Sequence, residues 1–330
     1  MDVIELTRRL IDIPSPTGRE GEAAGFSADW LKDEGFEVVR QEVEPGRPNI
    51  FASAGGPSEI VLCTHLDTVP NPAVRGEDAS HLYGRGACDA KGAQAAMMTA
   101  GRDLRRDGFR RFGLLFVVGE ETDSCGAKAA GALKVGSRSI IIGEPTGNRL
   151  ALGHKGVLSL RLETRGRAAH SAFPHLGESA IDRLLDVLAD MRRIDWPADR
   201  VLGKTTLNIG RIEGGTADNV FAPSARASVM IRCAVPASTV RELVIAAVAG
   251  RASLEISESD PIHFSRRPGY ETTVLPFGSD APYLEAFGER LMLGPGDPED
   301  AHTEGEKIAK KSLTEAAGLY VRLVRDMAGA

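Results

Sequence analysis

One histidine, one aspartate, two adjacent glutamates, a further glutamate and a late histidine stand where apolar runs of this chain end. They occur in VLCTHLDT (61–68), GRGACDAKG (84–92), LLFVVGEETDSCGA (114–127), SIIIGEPT (139–146) and GPGDPEDAHTEGE (294–306). Imidazole nitrogen and carboxylate oxygen are the donors zinc prefers. Two ions about 3.5–4 Å apart can generate a hydroxide and polarise a carbonyl together. The candidate ligands are His65, Asp89, Glu121, Glu144 and His302. Asp89 is the expected bridge, because Gly84, Gly86 and Gly92 let its turn bend around an ion. Asp67 follows His65 by two residues, on the same side of an extended strand, where it can fix the imidazole tautomer. Glu120 and Glu121 should point opposite ways. Glu121 is then the ligand, and Glu120 the general base that later protonates a leaving amine. Each string alone has a plainer explanation: a polar strand end, a loop start, a solvated acidic pair, a surface histidine. In this order, each at a strand end, they point to a dinuclear metallohydrolase.

Something must hold these strand ends together. The runs FEVVRQEV, NIFASAG, EIVLCTHL, RFGLLFVVG and SIIIGEP are interleaved with helical stretches over about 2–12, 20–34, 92–107 and 125–134. Such alternation predicts an α/β sheet with helices on both faces and a site beyond the carboxyl ends of the strands. The pattern changes near residue 155. Alternating strands (GVLSLRLETRGRAAHS, TTLNIGRIEGG, ARASVMIRCAV, ASLEISESD) and helices at 177–193 and 237–250 run β-α-β-β-α-β, the order of a ferredoxin-like sandwich. After about 265 come a helix at 280–288, the strand RLMLG and a helix at 304–326. The expected domains are 1–155 plus 265–330, carrying the metals, and an inserted domain at 156–264.

With 330 residues the chain is long enough for two cores, and 42% hydrophobic with 26% charged residues is an ordinary globular balance. A net charge of −6 without a long basic run argues against nucleic acid as a partner. Runs such as GLLFVVG are too short to span a bilayer, so no membrane role is expected. The N-terminus reads as an amphipathic helix rather than a secretion signal, and the expected location is cytoplasmic. Cys63, Cys88, Cys125 and Cys233 show no CxxC pairing and are expected to be reduced.

Taken together, HLDTVP, GRGACDAKG, GEETDSCGA, GEPT and AHTEGE resemble the signatures of the dinuclear zinc hydrolases that include acetylornithine deacetylase, succinyl-diaminopimelate desuccinylase, aminoacylase and glutamate carboxypeptidase. The likeness covers nearly the whole chain. It implies one ion on His65, Asp89 and Glu144 and another on Asp89, Glu121 and His302. It also implies Glu120 as base, Asp67 as supporting carboxylate and a cis peptide after Asp89. The second domain would be a lid through which a homodimer forms. Within RAAHSAFPHLGESAI, His170 would stabilise the oxyanion, often in the partner's site. Asn219 and Arg232 would bind substrate from the lid, Arg232 by holding an α-carboxylate. Ser279 and Asp280, in FGSDAP, match a loop that lines the pocket. The short chain points toward compact members acting on acyl-ornithine or acyl-lysine.

The leading expectation is therefore removal of an acyl group from a small N-acyl amino acid, of the acetylornithine or acetyl-lysine type, in arginine or lysine biosynthesis. A dipeptidase or carboxypeptidase would share every catalytic residue. A non-catalytic metal-binding relative would be expected to have lost Glu120 or a ligand. The ions are expected to be zinc, with cobalt or manganese compatible with the same donors. A cationic substrate side chain calls for an unpaired acid, for which Asp123, Glu271 and Asp280 are the candidates.

Overall fold

The computed structural model describes residues 1–329. The chain forms two compact units. The first comprises Met1–Leu152, Phe264–Thr273 and the residues from Ser279 onward; the second comprises Gly153–His263 and Val274–Gly278. No helix among the described residues is long and apolar enough to cross a membrane.

The first unit is built on a six-stranded mixed sheet. Its order is Glu37–Glu44, Arg47–Ser53, Phe112–Val117, Ile60–His65, Ser139–Ile142 and Glu289–Met292. The first two strands and their pairing to Phe112–Val117 are antiparallel, and the remaining pairings are parallel. The central strands are buried at every position, which explains why they read as unbroken apolar runs rather than alternating ones. Ile60, Leu62, Phe112, Leu114 and Phe116 share one core with Leu6, Leu10, Leu31, Met97, Leu104, Leu313 and Tyr320 from the long helices. Asp2 caps the first helix by accepting from the Glu5 N–H. Because the strands ending at His65, Val117, Ile142 and Met292 run parallel, their carboxyl ends share one edge of the sheet.

Three expected helices differ. The stretch 280–288 is not one helix but two 3-10 turns, Ala281–Tyr283 and Glu285–Phe287. Pro282 and the left-handed Gly288 (φ 91°) leave too few residues between them to nucleate an α-helix. The helix expected over 304–326 begins at Lys310, because Lys307–Ala309 pairs with His81–Tyr83 as a strand. The helix at 125–134 tightens into a 3-10 turn after Ala130.

The second unit has a four-stranded antiparallel sheet in the order Thr206–Gly214, Ser224–Cys233, Gly156–Arg165, Ser253–Ser259. Helices Ala180–Arg193 and Ala237–Val248 bury Leu184, Val187, Leu188, Val240 and Val244 against Leu158, Leu160, Leu162, Val229 and Ile231. Chain order and sheet order are those of a ferredoxin-like α+β sandwich.

Asn49 ties the strand ends to the loop beyond them. Fully buried, it accepts from the Val118 N–H (3.1 Å) and donates to the Gly126 carbonyl (2.8 Å). Asn49→Ala would strand both backbone groups. A loss of about 2–4 kcal/mol in urea unfolding is expected, and a loss below about 0.5 kcal/mol would show that water replaces these bonds.

Candidate active site

His65, Glu120, Glu121 and Glu144 sit at or just past the ends of parallel strands, whereas Asp89 and His302 come from loops. His65 ends its strand, Gly119 (φ 79°) turns the chain into Glu120–Glu121, and Gly143 leads to Glu144. Gly294 passes so close to the Glu144 backbone that a Cβ there would collide with the Glu144 carbonyl. Asp89 precedes helix Lys91–Arg106, and the Asp89–Ala90 peptide is cis. His302 lies in a turn at φ 63°.

The two oxygens of Asp89 face two different histidines. Oδ1 lies 3.0 Å from His65 Nε2, and Oδ2 lies 3.2 Å from His302 Nε2. His302 Nε2 is also 3.0 Å from Glu121 Oε1. Donor atoms of His65, Asp89 and Glu144 lie within 4.8 Å of one another, as do those of Asp89, Glu121 and His302. These two triplets share Asp89. Ligands about 2.1 Å from an ion in tetrahedral array stand roughly 3.4 Å apart, so the nitrogen–oxygen separations suit an ion between each pair.

The electrostatics of this cluster suit such ions. Burial pushes the Glu120 pKa well above the ordinary carboxylate range, and the neighbouring Glu144 adds to the shift. Burial also raises Glu144, against the pull of His65. For His65, burial opposes charging, but the neighbouring carboxylates of Asp67 and Asp89 outweigh it and raise the pKa well above the usual value. Hydrogen bonds to Asp89 and Glu121 lift His302 to about 10. Protons thus do part of the work of neutralising buried like charges that two divalent cations would do fully.

Asp67 has a different set of partners from those expected. His65 Nδ1 is nearest the Asp67 backbone carbonyl, at 2.9 Å, with the carboxylate Oδ1 at 3.6 Å. The carboxylate accepts instead from the N–H groups of Glu120 and Glu121, each at 3.1 Å, and from Thr17 Oγ1 at 2.8 Å. It thereby fixes the backbone of Glu120 and Glu121. The Glu120 carboxylate forms no hydrogen bond or ion pair with a described residue, which leaves it free for a water.

Asp280 is 2% exposed, its oxygens have no ion-pair partner among the described residues, and burial, opposed by the nearby Ser124, pushes it up to about 7. Ser279 Oγ accepts from the Ala281 N–H, capping the turn that carries Asp280. In the second unit His170 and Asn219 are neighbours and exposed: the Ser171 N–H donates to the Asn219 carbonyl, and His170 bridges to Val220. His170 Nδ1 accepts from the Ala172 N–H, leaving Nε2 free. Arg232 lies in strand Ser224–Cys233, opposite Val157 and Thr206, with no acid paired to it among the described residues; burial lowers its pKa.

Sequence reasoning missed Glu306. It is fully buried and accepts from the backbone N–H groups of Cys88 and Asp89. An acid four residues after the candidate ligand His302, within the same AHTEGE string, was the available signal.

Residues 152–253 match a family model described as a peptidase dimerisation domain. The chain is 37% identical to a probable carboxypeptidase of Aspergillus clavatus, over 98% of this chain and 82% of that one. It is 36% identical to a peptidase M20 domain-containing protein of Schizosaccharomyces pombe, over 98% and 84%. Its fold is similar to that of a Staphylococcus aureus tripeptidase, with a TM-score of 0.82, 20% identity and coverage of 99% and 98%. A two-unit mixed α/β architecture, a pair of triplets sharing one carboxylate and full-length relatives of this kind lead to one conclusion: the chain belongs to the M20 peptidase family, hydrolases of amide bonds.

Proposed function

We propose that the protein hydrolyses a small linear amide whose amine-side residue carries a free α-carboxylate. The observation that supports this most directly is Asp89, with one carboxylate oxygen turned to each of two histidines. His65, Asp89 and Glu144 hold one divalent ion, and Asp89, Glu121 and His302 the other, with zinc the first expectation. When bound, such a pair acidifies water and polarises the scissile carbonyl. Glu120 takes the proton of the attacking water and passes it to the leaving amine. Asp67 keeps Glu120 and Glu121 in place through their backbone N–H groups. His170 offers Nε2 as a hydrogen-bond donor to the oxyanion, and Asn219 and Arg232 bind the substrate.

The name of the Aspergillus relative favours a carboxypeptidase, a dipeptidase would share the same residues, and the guanidinium of Arg232 suits the C-terminal carboxylate such enzymes must recognise. Removal of the acyl group from acetylornithine or acetyl-lysine is the second reading. Asp280 favours it, being buried and unpaired, whereas Glu271 is exposed and Asp123 accepts from the Cys125 N–H. The match of residues 152–253 supports a homodimer through the second unit.

The test is amine release from a panel of dipeptides, acetylornithine, acetyl-lysine and acetylmethionine, each also as its α-carboxamide. Wild type should cleave free acids and spare the carboxamides. Arg232→Met should raise KM for the free acids by about 10–100-fold with little change in kcat. Equal turnover of acids and carboxamides would overturn the carboxylate requirement. Dipeptides alone, or acetylated basic amino acids alone, would decide between the two readings.

A further inference from the structure

The loop that carries His302 is thin. His302 follows a turn closed by Asp300 N–H to Asp297 carbonyl and by Thr303 Oγ1 to the Asp300 carbonyl. The turn that carries Asp89 has supports of its own. Its bonds run from Ala87 N–H to Gly84, from Lys91 N–H to Gly86, and from Lys91 Nζ to the Ile13 carbonyl at 2.6 Å. Buried Glu306 and partly buried Arg85 join loop to turn, beside a Cys88 thiol that donates to the Asp297 carbonyl at 3.2 Å. Glu306 Oε1 accepts from the N–H groups of Cys88 (3.0 Å) and Asp89 (3.1 Å), and its other oxygen is paired with Arg85 Nη1. Arg85 also donates to the carbonyls of Asn71 (2.7 Å) and Thr303 (3.1 Å), so one guanidinium holds the residue after His302.

We infer that Glu306 and Arg85 form a latch that sets the spacing between Asp89 and His302 and thereby governs occupancy of one ion position, that of Asp89, Glu121 and His302. Glu306 is a positioning residue and touches no substrate. The argument rests on the ligand assignment proposed above. His65 ends a strand of the sheet and Glu144 follows one by two residues, so both keep their places without the latch, whereas His302 reaches Asp89 only through this loop. Breaking the latch should therefore weaken one ion selectively.

The experiment is a calorimetric and absorption titration of metal-free protein with Co(II). Wild type should take two equivalents and His302→Ala one. Glu306→Ala should bind the first equivalent as wild type does, within about threefold, and the second about 10–100-fold more weakly, the range expected when a support of a ligand is removed. Glu306→Gln keeps an acceptor for both N–H groups but loses the ion pair, so a smaller loss of the same second equivalent is expected. It carries the test if the alanine variant does not fold. Two equivalents in His302→Ala would refute the ligand assignment itself. With one equivalent there, unchanged binding in Glu306→Gln would overturn the latch alone, as would equal weakening of both equivalents together with a lower Tm of the metal-free protein.

Discussion

Glu120→Gln is expected to lower kcat by about 10²–10⁴-fold, the usual contribution of a positioned general base, while two metal equivalents remain bound. An amide cannot take a proton from water, and it is nearly the same size as the carboxylate it replaces. The backbone N–H of residue 120 still donates to Asp67, so the neighbouring Glu121 does not move. Substrate binding should change little, which separates a lost transition-state interaction from lost binding. Steady-state kinetics and metal analysis on the same sample check the result. Activity within tenfold of wild type would place the base elsewhere, and loss of an ion would make Glu120 a ligand.

Stripping the metal is expected to abolish turnover and to invert the pH dependence of stability. In the metal-free fold Glu120, Glu144, His65 and His302 all have raised pKa values, His302 reaching about 10. A raised group contributes stability that is complete below its ordinary pKa and lost as pH rises through the raised value. Asp67 and Asp89 are held low by hydrogen bonds that outweigh their burial, so their contribution is lost only on acidification. From neutrality toward pH 10, then, the four raised groups lower the stability of the metal-free protein, while Lys91, pushed down to about 8 by burial, works the other way in stripped and loaded protein alike. Ions bind the deprotonated ligands and hold more tightly over the same range. The gap in Tm between loaded and stripped protein should therefore widen between pH 6 and 9, by about 5–10 °C, since each tenfold change in proton affinity is worth about 1.4 kcal/mol. Thermal unfolding at several pH values, with and without chelator, measures it. A gap that stays constant or narrows would mean that these histidines and glutamates are not what the ions displace protons from.

Much of this was legible in the chain because buried parallel strands leave a strong mark. EIVLCTHL, GLLFVV and SIII are continuous apolar runs, and the residue that ends each run must lie at one edge of the sheet. The reversal to alternating patterns near residue 155 marked the second unit equally well, since an antiparallel sheet with helices on one face shows period two. What escaped depended on how loops fold over one another. Strand alternation puts Asp67 beside His65, yet it says nothing of a loop fifty residues later whose N–H groups claim the same carboxylate. Glu306 and Asn49 are polar residues that each bond two backbone groups, and backbone groups carry no sequence signal. The stretch 280–288 has helical composition but too little length between Pro282 and Gly288.

Five of the six strands of the sheet, and His65, Asp89, Glu121 and Glu144, belong to the first 144 residues, whereas the edge strand Glu289–Met292 and His302 come near the end. Synthesis therefore produces the protein in two chemical instalments. A chain still on the ribosome can pair the five strands and present His65, Asp89 and Glu144 to an ion long before His302 exists. It then makes the whole of the second unit, and only the last stretch of translation delivers the residue that completes the pair. On the proposed ligand set, a chain ordered in this way lacks a complete pair of ion positions until it is nearly finished.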